Sequence, residues 1–262
     1  MITSLQNSLV KQMRKLHQAK GRREQNLFLL EGTNLVEAAC RSNCQLVAVC
    51  CTPAWQERYP QLWQQANQTA QRVELVSPEV LSAIATTVNP DGVVATALQT
   101  DRKLAIGDNF KLGLVLERLQ DPGNLGTIVR TAVATNVDGL WLSKDSVDLH
   151  QPKVLRSSAG EWFRMPMAVS EDLKALVGDF QTRGVQIVAT LPLASKTYWE
   201  VDFTRPTLIL LGNEAAGLSD ELSSLASERV KIPLSEGVES LNVAIAAALL
   251  LYEARRQITS NE

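Results

Sequence analysis

Leu208–Leu222 reads LILLGNEAAGLSDEL, and the fold follows from how it is punctuated. Four consecutive apolar residues suit a strand covered on both faces. Gly212-Asn213-Glu214 and Ala215-Ala216-Gly217 then break the run, and Ser219 is placed to cap a helix. This is a strand–loop–helix unit whose loop carries polar groups at the carboxyl end of a buried strand, where ligands gather in open α/β sheets. The loop is not a dinucleotide fingerprint, because GNEAAG lacks the second glycine of GxGxxG, and it is not a phosphate-binding P-loop, having no GK[ST].

The same alternation extends in both directions. Strands are expected at Leu112–Leu116, Leu140–Leu142, Val185–Thr190, Thr207–Leu211 and Arg229–Ile232. Helices are expected at Leu125–Thr135, Glu171–Thr182, Ser219–Ala226 and Asn242–Gln257. Nearly all-apolar strands alternating with helices predict an α/β domain with a parallel sheet over 111–262. Upstream, Leu5, Leu9, Met13 and Leu16 mark one face of a helix over Thr3–Lys20. Shorter elements follow: strands at Leu27–Leu30, Leu46–Cys51, Val73–Val76 and Val93–Ala97, with helices at Asn34–Arg41, Trp55–Gln71 and Pro78–Thr86. These form a small α/β domain over 1–98, and the polar stretch QTDRKLAIGDN makes 99–110 the linker.

Composition excludes some classes. Hydrophobic residues at 45% support a buried core, yet no apolar run reaches the roughly 20 residues of a membrane span. The basic N-terminus lacks the apolar block of a signal peptide, so a cytoplasmic protein is expected. Cys40, Cys44, Cys50 and Cys51 lack zinc-site spacing, and His17 and His150 lie far away in sequence, so no metal is expected and reduced thiols are. Net charge is −2, but it is unevenly spread. Through Thr100 there are nine lysines and arginines against seven acids; the remainder has 17 against 21. Lys11, Arg14, Lys15, Lys20, Arg22 and Arg23 all precede the first acid, Glu24. That cluster reads equally as a phosphate-contacting patch or a solvated helix face.

Two further stretches join the first. LERLQDPGNLGTIVRTA (Leu116–Ala132) carries a turn at Asp121-Pro122-Gly123, with Asn124 placed to cap the next helix and Arg130 two turns in. VKIPLSEGVESLNVAIAAALLLYEARRQ (Val230–Gln257) enters Pro233, then Ser240-Leu241-Asn242, then a helix apolar nearly all round, which belongs in a core or at a subunit contact.

Together these stretches closely resemble the SpoU/TrmH family of the SPOUT superfamily. Asn124, Gly126 and Arg130 match its first motif, Gly212-Asn213-Glu214-Ala215-x-Gly217-Leu218-Ser219 its second, and Ile232-Pro233 with Ser240-Leu241-Asn242-Val243 its third. The resemblance covers Lys111 to Gln257, and residues 1–98 resemble the substrate-binding domain that precedes it in many members. It implies a small ribosomal-protein-L30e-like α/β domain followed by a SPOUT α/β domain with a deep C-terminal trefoil knot, and a homodimer through the knotted domain. It implies transfer of a methyl group from S-adenosyl-L-methionine to a ribose 2′-hydroxyl of RNA, with ribosomal RNA favoured over transfer RNA.

Residue by residue, the resemblance assigns catalysis to Arg130, Asn124, Glu214, Ser240 and Asn242. It assigns cofactor binding to Leu191, Gly212, Asn213, Glu214, Gly217, Ile232, Leu241 and Asn242. RNA capture falls to Lys11, Arg14, Lys15, Arg22, Arg23 and Arg156, because the second domain is net acidic. A general-base role for Arg130 conflicts with a guanidinium that is effectively always protonated, so a phosphate clamp is the simpler expectation. The alternatives are a transfer RNA methyltransferase and a non-catalytic RNA-binding or ribosome-assembly factor. A pure binder has no need of Asn124, Arg130, Glu214 and Asn242 together.

Overall fold

The computed structural model describes residues 1–99, 104 and 107–260. Contacts divide it into two compact units, Met1–Thr100 with Asp148–Arg164, and Asp101–Val147 with Met165–Glu262. Half of the expected linker, residues 100–103, 105 and 106, lies outside the described residues. The division departs from a simple cut near residue 100, because the excursion Asp148–Arg164 belongs with the N-terminal unit.

In the first unit, helices α1 (Ser8–Lys15) and α2 (Ala19–Gln25) precede strand β1 (Leu27–Glu31), α3 (Thr33–Arg41) and β2 (Leu46–Cys51). Helices α4 (Pro53–Arg58) and α5 (Pro60–Thr69), strand β3 (Arg72–Leu75), α6 (Pro78–Ile84) and β4 (Val93–Leu98) complete it. The sheet order is β1-β4-β2-β3, with β2 and β3 parallel and the other pairs antiparallel. Cys50 and Cys51 on β2 are buried, and burial pushes both thiols up to about 12, so they stay protonated and pack as small apolar groups.

Two helices expected as continuous are broken. The Trp55–Gln71 stretch divides at Pro60, which has no N–H to continue the ladder. The Thr3–Lys20 stretch divides after Leu16. A Cβ on Gly21 would lie 2.0 Å from the Lys15 carbonyl oxygen, so only glycine lets α2 close onto the last turn of α1. Arg22 Nη1 then donates to the freed carbonyls of Leu16 and His17, at 2.9 and 3.1 Å.

Arg22 is therefore not available to RNA, which corrects its assignment to the phosphate-binding cluster. Its side chain is 3% exposed, and Nε and Nη2 donate to Asp148 Oδ2 at 2.9 and 2.7 Å. Arg156 is likewise spent inside the unit. Its Nη1 donates to Oε2 of the buried Glu31 at 2.9 Å and to Thr86 Oγ1 at 2.7 Å. Position in a basic run could not distinguish Arg22 from its neighbours; only the fold shows which side of α2 faces inward. These two pairs, with His150 set between Phe28 and Trp162, hold Asp148–Arg164 to the N-terminal unit.

Removing Arg22 takes the guanidinium from a half-buried Asp148 and the donor from the Leu16 and His17 carbonyls, so Arg22→Ala should cost about 3 kcal/mol, read from denaturant unfolding. Burial works against ionised Asp148, but hydrogen bonds from His150 and Arg22 prevail and hold the carboxyl well below the usual range. A depressed folded pKa means that the pair's stabilisation is full above the unfolded value near ~4 and is lost as pH falls below it. The acid transition should accordingly be shallower in Arg22→Ala.

The second unit begins with β5 (Leu112–Leu116), α7 (Pro122–Ala134) and β6 (Gly139–Ser143). After the excursion, whose helix is α8 (Pro152–Ser157), come β7 (Met167–Ser170), α9 (Leu173–Thr182), β8 (Gln186–Thr190) and β9 (Lys196–Thr197). Strand β10 (Thr207–Leu211), α10 (Asp220–Ser224), β11 (Glu228–Lys231) and α11 (Val243–Thr259) finish the chain. The sheet order is β7-β6-β5-β10-β8-β11-β9, parallel throughout. The central strands β5 and β10 are wholly buried, and Phe110, Trp141 and Phe180 pack together with ring centroids 4.9–6.4 Å apart.

Strands β7 and β9 were not anticipated. One has four residues with Val169 exposed and only three of them apolar, the other two polar residues, so neither stands out as a strand. Strand β10 is inserted between β5 and β8, so the loops following β5, β8, β10 and β11 share one side of the sheet. Among the described residues no helix is long and apolar enough to cross a membrane.

Candidate active site

The loop after β10 is built around its glycine. A Cβ on Gly212 would sit 2.0 Å from Leu218 N and 2.1 Å from Gly217 C, so the chain can fold back only because none is there. The close approach is thus to the protein's own backbone. Asn213 and Gly217 exchange two backbone hydrogen bonds, at 3.0 and 2.9 Å, with Gly217 at φ 68°. Asn213 Oδ1 accepts from the amides of Ala215 and Ala216, while its Nδ2 donates to the Arg118 carbonyl at 2.8 Å. Asn213 is a structural clasp between this loop and the end of β5.

Glu214 is the centre of the arrangement. Its carboxylate accepts from the amides of Gln120 (3.3 Å) and Asp121 (3.1 Å) and from Asn124 Nδ2 (3.2 Å). Asn124 Oδ1 in turn accepts from Asn242 Nδ2 at 2.9 Å. Asn242 is the N-cap of α11, its Oδ1 accepting from Ala244 N at 2.9 Å. One chain of hydrogen bonds therefore ties the three sequence motifs together. Asn124 does not cap α7, as its place after the turn suggested. Asp121 does, accepting from Asn124 N at 2.9 Å, with Pro122 at the first helical position. That leaves the Asn124 amide free to bridge Glu214 and Asn242. Ser219 caps α10, as expected.

Partial burial opposes ionisation of Glu214, yet the hydrogen bonds from its own backbone, Asp121, Asn124 and Gln120 outweigh it and lower its pKa. The link between β10 and α7 is thus intact above the usual glutamate range, near ~4.3, and lost as pH falls through the depressed value. Activity should show an acid limb lying below the ordinary glutamate range, absent from a Glu214→Gln variant that is poorly active at every pH because its amide opposes the facing donors. A pH–rate profile of both proteins checks this.

Beside this network lies a cavity of about 430 Å³, within the usual size range of small-molecule sites. Leu191, Gly212, Asn213, Glu214, Gly217, Ile232, Ser240 and Leu241 all line it. Asn124 does not line it, and neither does Asn242, which was expected to contact the cofactor. Leu218 and Val243, matched in the motifs without a site role, also line the cavity, as do Thr190 and Ala246, which no motif marked, since an alanine in a helix or a threonine ending a strand carries no separate signal. Thr190 Oγ1 is buried with no hydrogen-bond partner. A buried hydroxyl left without a partner at the wall of a cavity is what a polar ligand would satisfy.

Arg130 stands apart. It is exposed on α7, does not line the cavity, and among the described residues has no ion-pair or hydrogen-bond partner. Its guanidinium is open to a ligand. No group of three or more histidine, cysteine, aspartate or glutamate residues that could hold a metal occurs among the described residues.

Residues 111–252 match the SpoU rRNA Methylase family, and residues 7–95 match the MRM3-like substrate binding domain. The chain belongs to the SpoU family. An uncharacterized tRNA/rRNA methyltransferase of Synechocystis is 51% identical over 98% of this chain and 93% of its own. The 23S rRNA (guanosine(2553)-2′-O)-methyltransferase of Bacillus subtilis is 33% identical over 97% and 98% of the two chains. Among solved structures, the AdoMet-bound rRNA methyltransferase from Sinorhizobium meliloti superposes with a TM-score of 0.87 at 32% identity, over 98% of this chain and 97% of that one. The likeness spans both units. A SpoU-family member needs a place for its methyl donor, and the cavity with its unpartnered Thr190 hydroxyl and close-packed Gly212 loop fits that requirement.

Proposed function

We propose that this protein methylates a ribose 2′-hydroxyl of large-subunit ribosomal RNA, using S-adenosyl-L-methionine. The observation that carries the reading is the Glu214–Asn124–Asn242 chain, which ties the three motif loops together at one cavity, with Asn124 on the same helix as the unpaired Arg130. Leu191, Gly212, Asn213, Gly217, Ile232 and Leu241 would hold the cofactor, with Glu214 and Asn242 supporting them, and Thr190 would give its hydroxyl a partner there. When bound, the cofactor would supply an electrophilic methyl carbon, to which an aligned hydroxyl oxygen can bond in line as the carbon–sulfur bond breaks and the neutral thioether leaves. The protein's task is orientation.

Arg130 clamps the phosphate next to the target ribose and so aligns its hydroxyl. A guanidinium keeps its proton, and the hydroxyl proton departs to phosphate or water. Asn124 positions α7, and with it Arg130, against the loop after β10. Ser240 orders the third-motif loop at the cavity wall. Lys11, Arg14, Lys15 and Arg23, all exposed on α1 and α2, supply the salt-dependent grip on RNA. The relatives named for 23S rRNA favour ribosomal over transfer RNA.

The finer architecture follows from the family reading. The segment from β10 to α11 would be threaded as a trefoil knot, a reading supported by the late insertion of β10 between β5 and β8. Ile245, Leu249 and Tyr252 form an exposed stripe on α11, 51%, 36% and 56% accessible, at spacings that share one helix face. A second copy of the chain would cover it, giving a homodimer. Ile245→Glu should convert that dimer to monomer in sedimentation analysis; an unchanged mass would remove the stripe from the interface. The cytoplasm, where ribosomal RNA is processed, is the expected compartment.

The deciding experiment maps 2′-O-methylation in transcribed 23S rRNA incubated with the protein and cofactor, with calorimetric titration of the cofactor alone. One new methylated ribose and saturable cofactor binding support the reading. RNA binding without cofactor binding would make the protein a binding factor instead.

A further inference from the structure

Among the described residues two buried side-chain polar atoms lack a hydrogen-bond partner. One is Thr190 Oγ1, in the cavity already described. The other is Arg118 Nε, at the end of β5. Arg118 is also strained, with φ 52°, in the left-handed region where glycine alone is free of cost. Three of the other four non-glycine residues with positive φ are asparagines, which tolerate that region; Arg118 has no such excuse.

The backbone of Arg118 explains why the conformation is held, but not why the residue is arginine. Its N–H donates to Ser143 Oγ at 2.8 Å, and its carbonyl accepts from Gln120 Nε2 at 3.1 Å and Asn213 Nδ2 at 2.8 Å. Any residue would make those bonds, and glycine would make them without strain. The side chain lines a second cavity of about 350 Å³, beyond the carboxyl ends of β5, β6 and β7, together with Ser143, Lys144, Ser170 and Lys174. Its ionic contact is with Glu117 at 3.6 Å, a carboxylate already accepting from Ser219 N at 2.7 Å. Lys144 and Lys174 are engaged only in exposed pairs, with Glu171 at 3.5 Å and Glu221 at 3.2 Å, which a stronger anion can replace.

The two cavities share one loop. Residues 212–218 line the first and Ser219 the second. We propose that Arg118 is a further RNA-binding residue, holding a phosphate that flanks the methylated nucleotide in this second cavity. The backbone strain is retained because it aims a planar, five-donor group from the same peptide that anchors the cofactor loop. Glu117, Asp145, Glu171, Asp172 and Glu221 also line the cavity, against the cations Arg118, Lys144 and Lys174, so the anion must be held by direct hydrogen bonds from the guanidinium and not by the cavity's overall charge, which is acidic. This inference rests on the proposed RNA substrate.

The test uses the full chain, transcribed unmethylated 23S rRNA as the probe, and the variants Arg118→Gly, Arg118→Asn and Arg118→Lys. Glycine relaxes φ, so Arg118→Gly should melt no lower than wild type and bind the cofactor within twofold of it. Its RNA affinity should fall about tenfold, and the slope of log affinity against log salt should become shallower by ~0.7–0.9, one phosphate's worth. Arg118→Lys should keep the slope and lose part of the affinity. If Arg118→Gly does not fold, Arg118→Asn, which tolerates the same φ, carries the same readout. An unchanged RNA affinity and salt slope would overturn the proposal, and so would a parallel loss of cofactor binding, which would make Arg118 only a shaper of the loop. A wild type that binds the transcript without methylating it would count against the proposed function while still reporting on Arg118.

Discussion

Arg130→Ala should lower kcat for RNA methylation by about 10²–10³-fold, the scale seen when one preorganised donor is removed from an active site. The cofactor dissociation constant should stay within twofold, because Arg130 lies outside the cavity wall. Thermal stability should not change, since the side chain is exposed and makes no intramolecular pair among the described residues. Arg130→Lys separates the two chemical roles. A lysine retains charge but not the planar fork, so a clamp should recover only part of the rate and the pH–rate profile should keep its shape. A profile that follows an arginine pKa in the wild type and vanishes in Arg130→Lys would establish proton abstraction and sink the clamp. Near-normal turnover in Arg130→Ala would remove the residue from the mechanism altogether.

Gly212→Ala should weaken cofactor binding about 100-fold through a clash with the protein's own backbone. The added methyl carbon falls within 2.3 Å of three backbone atoms of Gly217 and Leu218, none of which can swing aside as a side-chain tip would. The loop must open, which breaks the Asn213–Gly217 pair and moves Glu214 away from Asn124. Overpacking of this kind costs about 3 kcal/mol, equivalent to a roughly 100-fold loss of cofactor affinity if the loop alone yields. Calorimetric titration reads that loss, and a melting curve shows whether the strain stays local. Binding within twofold of wild type would show that the loop is looser than its packing implies. The contrast with Arg130→Ala is diagnostic, since one variant loses rate with binding intact and the other loses binding first.

Much of the site was legible because each motif couples a local backbone rule to a chemical group. Gly212 and Glu214 were placed at a strand end by the apolar run preceding them, Ile232 and Leu241 by the third motif of the family resemblance, and all four line one cavity. The cap of α7 was readable too. Asp121 before Pro122 is the pattern of a capped helix with proline at its first position, and it should have taken precedence over Asn124. Arg22 and Arg156 could not be read in this way. A basic residue in a basic run looks the same whether it faces water or a buried carboxylate, and their partners Asp148 and Glu31 lie more than a hundred residues away in the chain.

By itself the sequence determined the alternation of strand and helix, the parallel sheet of the second unit, and the three motifs that mark the SpoU family. Those properties are written in short windows, where hydrophobic period and turn chemistry act on neighbouring residues. Tertiary structure alone decided that Asp148–Arg164 joins the N-terminal unit, that Asn124 bridges Glu214 and Asn242, and that Arg118 is strained with its Nε buried and unbonded. Each of these depends on a contact or backbone angle imposed by distant chain, and burial converts such a contact from indifferent to obligatory. An arginine or asparagine satisfied by water anywhere on the surface must, once enclosed, find its particular partner.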